Sequence, residues 1–115
     1  MAFFPGLGNG TFGPEVVSLA ASAPRSLALG DLDRDGLTDA AVANTNANNV
    51  TIHYGVAGAA GPFAATSNLT LTTAPSPVSV VIADINKDGL PDLTIAALEA
   101  NAASSYIDVR LGQCM

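Results

Sequence analysis

Apolar and polar positions alternate along this chain in short runs. Ser26-Leu-Ala-Leu-Gly30 and Ser79-Val-Val-Ile-Ala83 are apolar and bounded by small or polar residues, as are Asp39-Ala-Ala-Val-Ala-Asn44 and Asp92-Leu-Thr-Ile-Ala-Ala97. Runs this short, carrying Val, Ile and Thr, predict β-strands. Val50 to Tyr54 and Tyr106 to Leu111 predict a further pair, and Val16 to Leu19 and Asn68 to Thr72 another. No apolar stripe of helical period persists, and Gly and Pro interrupt the chain throughout, so no helix is expected. Asn9-Gly10 suits a tight hairpin turn. The polar and small-residue stretches Asn44 to Asn49 and Glu99 to Ser105 read as solvated loops, free to carry ligand contacts and dispensable for folding.

The pattern repeats. Ala23-Pro24-Arg25-Ser26-Leu27-Ala28-Leu29-Gly30-Asp31 lies over Ser76-Pro77-Val78-Ser79-Val80-Val81-Ile82-Ala83-Asp84 at a constant offset of 53 (84 − 31). Asn9-Gly10-Thr11-Phe12-Gly13-Pro14 has a looser counterpart in Ala60-Gly61-Pro62-Phe63. Phe4-Pro5-Gly6, His53-Tyr54-Gly55 and Arg110-Leu111-Gly112 each close a strand-like run with glycine. The chain divides accordingly into residues 1–22, the third and fourth strands of a partial unit; 23–75, a full unit; and 76–115, a unit lacking its fourth strand. Four short antiparallel strands in a unit of about 50 residues is the arithmetic of a β-propeller blade, so the predicted fold class is all-β.

Between the first two strands of each unit stands an acidic loop, Asp31-Leu-Asp33-Arg-Asp35-Gly36-Leu37-Thr-Asp39 and again Asp84-Ile-Asn86-Lys-Asp88-Gly89-Leu90-Pro-Asp92. Side-chain oxygens recur at loop positions 1, 3, 5 and 9, glycine sits at position 6 for the sharp turn, and the carbonyls of Leu37 and Leu90 are expected to serve at position 7. That set suits a hard cation taking six or more oxygens, which predicts two Ca²⁺ per chain. An EF-hand needs an acid at position 12, where this chain has Val42 and Ile95. The alternative for the same residues is an acidic, solvated turn without metal.

Seven of the ten acids lie in these two loops, so the net charge of −6 belongs to them. Two bound Ca²⁺ would leave −2 (−6 + 4). With Arg25, Arg34, Lys87 and Arg110 as the only cations, nucleic acid and anionic membranes are not expected partners. The chain is 49% hydrophobic and 12% charged, against roughly a quarter charged in ordinary soluble domains, so much of its surface should be covered. The longest apolar stretch falls far short of the about 20 residues needed to span a bilayer. The start Met1-Ala-Phe-Phe-Pro5 lacks the basic and long apolar regions of a signal peptide. A single cysteine, Cys114, allows no intrachain disulfide.

Catalysis has little to work with. The only histidine, His53, falls in a predicted strand, and outside the loops the acids are Glu15, Glu99 and Asp108, too scattered for a general acid and base pair. Phe3, Phe4, Phe12 and Phe63 are expected to pack between units, the alternative being that they present a binding surface. With no Trp and only Tyr54 and Tyr106, an aromatic platform for sugars is not indicated. The sequons at Asn9, Asn49 and Asn68 are those chance supplies in an Asn- and Thr-rich chain.

Phe12-Gly13, Ala23-Pro24 and the loop from Asp31 to Asp39, followed by a strand ending in Asn44, resemble the FG-GAP/VCBS repeat of integrin α-subunit propellers, fungal propeller lectins and many bacterial secreted proteins. The second copy matches through Pro77, Asp84, Asn86, Asp88, Gly89 and Asp92, and departs where Phe63 is followed by Ala64 rather than glycine. The resemblance implies a calcium hairpin between the innermost and second strands of each blade, with the ions mainly architectural and ligand recognition elsewhere. It also implies an extracellular, non-catalytic binding or adhesion module, with a propeller lectin or a piece of a propeller-containing enzyme as alternatives, and glycan or protein as possible ligands. Two blades cannot close a ring, so the chain is expected to assemble with itself. The strand from Val16 to Leu19 would complete the last blade of the next copy, and a trimer is favoured over a tetramer.

Overall fold

The computed structural model describes residues 2–17, 23–57, 69–73, 75–98 and 105–110. They form nine strands and, among the described residues, no helix: β1 (Ala2–Phe3), β2 (Val16–Val17), β3 (Pro24–Gly30), β4 (Asp39–Asn44), β5 (Asn49–His53), β6 (Leu69–Thr72), β7 (Pro77–Ala83), β8 (Asp92–Leu98) and β9 (Ser105–Arg110). All pair antiparallel with their neighbours in sequence, giving sheets ordered β1-β2, β3-β4-β5-β6 and β7-β8-β9. The fold is all-β, with antiparallel sheets of two, four and three strands among the described residues. Leu19, Asn68, Leu111 and Gly112, which the sequence placed in or beside strands, lie outside the described residues, as do Phe63, Glu99 and Cys114.

The two larger sheets are copies of one pattern down to their irregularities. Each has a break in register after its first proline, between Pro24 and Ser26 and between Pro77 and Ser79. The residues before those prolines, Ala23 and Ser76, both hold left-handed backbone, at φ 54° and 55°. Their carbonyls accept from equivalent amides, Thr45 to Ala23 at 3.0 Å and Leu98 to Ser76 at 3.1 Å.

The core lies between these sheets. Ala41, Ala43, Val50 and Ile52 of the first face Val80, Leu93 and Ile95 of the second, with Ala28, Leu71 and Ile82 at the margin. Small side chains on β3 and β4 let the sheets approach closely: an added Cβ on Gly30 would meet Ile82 Cγ2 at 3.0 Å. Both faces of β4 are buried, from Asp39 to Asn44, so its apolar run is continuous instead of alternating.

Two expectations fail. The stretch from Asn44 to Asn49 is not a free, solvated loop. Asn44 is buried and its Nδ2 donates to Val42 O, Asn49 Oδ1 and Thr51 Oγ1 at 3.0–3.2 Å. Thr45 Oγ1 reaches Pro77 O at 2.7 Å and Asn48 Oδ1 accepts from the Ser76 amide at 2.8 Å, so the turn fastens one sheet to the other. Its polarity satisfies backbone groups where the sheets meet, which composition alone reads as solvation. Phe4 and Phe12, expected between blades, are exposed: they lie in the hairpin around the Gly6–Phe12 bridge, and no described layer covers them.

Candidate metal centres

Each acidic loop joins the first strand of a sheet to the next, running from Gly30 to Asp39 and from Ala83 to Asp92. The two loops share one backbone path. Position 4, Arg34 or Lys87, has φ of 62° or 61°, and position 6, Gly36 or Gly89, has φ of 87° or 85°. Glycine suits the second site because a left-handed residue there meets no Cβ penalty.

That path turns the amides inward onto the carboxylates. In the first loop Asp31 accepts from Asp35 N at 3.1 Å and Gly36 N at 2.8 Å, and Asp35 Oδ1 accepts from Leu37 N at 2.9 Å. Asp33 Oδ1 also accepts from Asp35 N, at 3.3 Å. The second loop repeats this: Asp84 takes the amides of Asp88 at 3.1 Å and Gly89 at 2.9 Å, and Asp88 takes that of Leu90 at 2.9 Å. Leu37 and Leu90 are half-buried, and Asn86 is exposed at the loop tip.

Position 9 does more than the sequence revealed. Asp39 and Asp92 are fully buried at the start of the second strand. Asp39 Oδ2 accepts from Leu32 N at 2.7 Å and Asp92 Oδ2 from Ile85 N at 2.8 Å, so each carboxylate ties the loop's entry to its exit. Asp39 Oδ1 also accepts from Gly55 N at 2.7 Å, which anchors the end of the third strand. Gly55 has no alternative there, since a Cβ would stand 2.5 Å from Thr38 O and 2.9 Å from Leu37 Cβ. The strand-final glycine noted in three places was the sequence signal for this contact.

Carboxylate oxygens of Asp31, Asp33 and Asp39 lie within 4.8 Å of one another, as do those of Asp84, Asp88 and Asp92. Asp35 is not in the first set, although its counterpart Asp88 is in the second. Three like charges this close repel in the absence of a cation, and their oxygens are the donor type a hard divalent ion takes. Partial desolvation, then the Asp35 side chain and the charges of Asp39 and Asp35, hold the Asp33 carboxyl above its ordinary range. Asp31 moves the other way: desolvation opposes the shift, but the amides of Gly36, Asp35 and Arg34 and the Asp33 side chain together hold its carboxyl below the ordinary range. The residues present fit a calcium ion.

The other candidates separate from these centres. His53 is buried in β5, its Nε2 3.4 Å from Thr51 Oγ1, and Asn49 and Thr51 of the second sequon are partly and fully buried in the same strand.

A sheet whose first strand turns through an acidic, amide-lined loop into the second strand, stacked on a copy of itself, defines a propeller-type repeat protein. Residues 31–95 match the profile of the FG-GAP-like repeat, a span of 65 (95 − 31 + 1) of the 115 residues, and the chain belongs to that family. No curated protein and no solved structure matches the chain significantly.

Proposed function

We propose that this chain is a non-catalytic, calcium-stabilised propeller module for binding or adhesion outside the cell, and that it assembles with copies of itself. The observation that carries the reading is the paired carboxylate clusters: two loops of the same backbone path each bring three carboxylates within 4.8 Å. Calcium would be held by Asp31, Asp33, Asp35 and Asp39 with the Leu37 carbonyl, and by Asp84, Asn86, Asp88 and Asp92 with the Leu90 carbonyl. Its role is structural, since each loop fixes how the innermost strand meets the second. FG-GAP-like membership and the carboxylate-rich chemistry of the loops support an extracellular setting, where free calcium is plentiful. Among the described residues no helix is long and apolar enough to cross a membrane.

A non-catalytic role is favoured by what the polar residues already do. Asp39 and Asp92 are engaged by backbone amides, and His53 is buried inside a sheet. Recognition of a glycan or protein would fall on surface away from the calcium loops. Assembly is supported by the edge of β9, which pairs with β8 and has no described strand on its other side. The β2 strand of another copy would fill that place by exchanging its two-residue pairing with β1 for the longer β9. Three copies at two blades each give six (3 × 2), within the about four to eight blades of propellers.

Calcium titration of the chelator-treated protein tests the metal reading. Two ions per chain and a melting temperature that rises with calcium are expected; no binding at millimolar calcium would refute it. Assay against hydrolase and lyase substrates tests the second claim, with turnover abolished by His53→Ala the contrary result.

A further inference from the structure

The two larger sheets stack between unlike faces, head to tail. Ala28, Ala41 and Ile52 lie on the face of the first sheet that covers the opposite face of the second, where Val80, Ile82 and Ile95 lie. Two contacts define the register. Ile82 fills the space over Gly30, and the Val80 amide donates to Ser26 Oγ at 3.2 Å.

The 53-residue offset carries each of these four groups onto a position in the other sheet. Ser26 and Gly30 become Ser79 and Ala83 of the second sheet, and Val80 and Ile82 become Leu27 and Leu29 of the first. Apolar surface is uncovered at both: Leu27 is 48% and Leu29 57% exposed on β3, although Ala40, Val42, Thr51 and His53 of the same face are buried, while Val81, between Ser79 and Ala83, is 51% exposed and Ile107, on the same face, 77%. Ala83 is exposed as well. The molecule therefore presents again the apolar β3 strip and the apolar β7 strip of an interface it already makes once internally.

We propose that a second copy of this chain docks on these faces, the outer face of its second sheet covering Leu27 and Leu29 of its neighbour. Ala83 then meets Leu29 as Gly30 meets Ile82, and Ser79 Oγ accepts from the Leu27 amide as Ser26 does from Val80. The contact rests on the self-assembly reading above and adds to it the faces and the polarity. It is heterologous, so it leaves a free face at each end of any open chain and closes only as a ring. A partner of unrelated sequence would have to reproduce both the spacing and the small-to-large match; the internal repeat supplies the spacing, with Ala83 and Leu29 where the internal contact has Gly30 and Ile82.

Sedimentation of the intact chain in calcium, with Val81→Arg and Leu29→Asp, tests the assignment. Both side chains are half-exposed, so calcium-dependent melting should survive either change and report that each variant is folded. The wild type should exceed the monomer mass at micromolar concentration, and each variant alone should be monomeric. Mixed in equal amounts they should form particles of two chains and no larger, because one intact pair of faces remains. A monomeric wild type overturns the assembly reading and this inference together. Variants that assemble like the wild type leave assembly standing by strand exchange and overturn the inference, and so does loss of assembly in Val81→Arg alone, the mark of contact between like faces.

Discussion

Asp39 serves the fold before it serves a metal. Its buried carboxylate accepts from Leu32 and Gly55, so Asp39→Ala should destabilise the protein by about 2–4 kcal/mol even in chelator, since two amides lose their acceptor. Denaturant unfolding without calcium measures it. Asp35→Ala, at an exposed position, should cost far less under the same conditions and act mainly on calcium affinity. Because Asp88 stands in its cluster and Asp35 does not, Asp88→Ala should weaken its site more than Asp35→Ala weakens the other. Gly55→Ala should destabilise by about 1–3 kcal/mol, as overpacking against backbone does. Asp33 gives the first site a pH dependence. Its carboxyl is raised in the folded, metal-free chain, so its contribution to stability is present below its unfolded pKa and lost as pH rises through the folded one. Asp31 is lowered, and its contribution is present above its unfolded pKa and lost as pH falls through the folded one. Calcium requires both ionised, so affinity at the first site should fall as pH drops through the raised Asp33 value, with proton release on binding in that window. Calorimetry in buffers of different ionisation heat detects the proton, and Asp33→Asn should remove it.

At the scale of elements, the turn from Thr45 to Asn48 ties the sheets together. Asn44→Ala, which strips a buried amide from Val42, Asn49 and Thr51, should lower stability by about 1–3 kcal/mol, read as a fall in melting temperature. This is where the sequence misled. Strands and acidic hairpins were legible because they depend on local pattern: short apolar runs, glycine at position 6 and a repeat that sets the register twice. All eight strands read from the sequence recur within a few residues, and β1 was signalled by the run ending at Gly6. What Thr45 and Asn48 do depends on a sheet some thirty residues downstream, and no local pattern separates a polar side chain that bonds a distant backbone group from one that bonds water. Exposure of Phe4 and Phe12 escaped for the same reason, since packing between layers depends on which layers are present. The second role of Asp39 was half visible, in the recurrent strand-final glycine.

For the molecule as a whole, metal and fold should be linked. Each loop closes its hairpin through carboxylates that repel one another when bare, so an ion that binds the folded loops stabilises them by mass action, about 2.7 kcal/mol per site at a hundredfold excess over Kd. Chelation should therefore lower the melting temperature of the assembled and monomeric forms alike, because the loops lie at the inner hairpins rather than on the faces that meet. If copies associate as proposed, faces would decide how many, and loops whether each copy is rigid enough to offer a face. The central claim is that the repeated acidic loops are calcium sites, and a calorimetric titration of the chelator-treated chain with Ca²⁺ tests it most directly. The account predicts two ions bound per chain, reduced to one by Asp88→Ala. A flat titration at millimolar calcium, with a melting temperature indifferent to chelator, would contradict it.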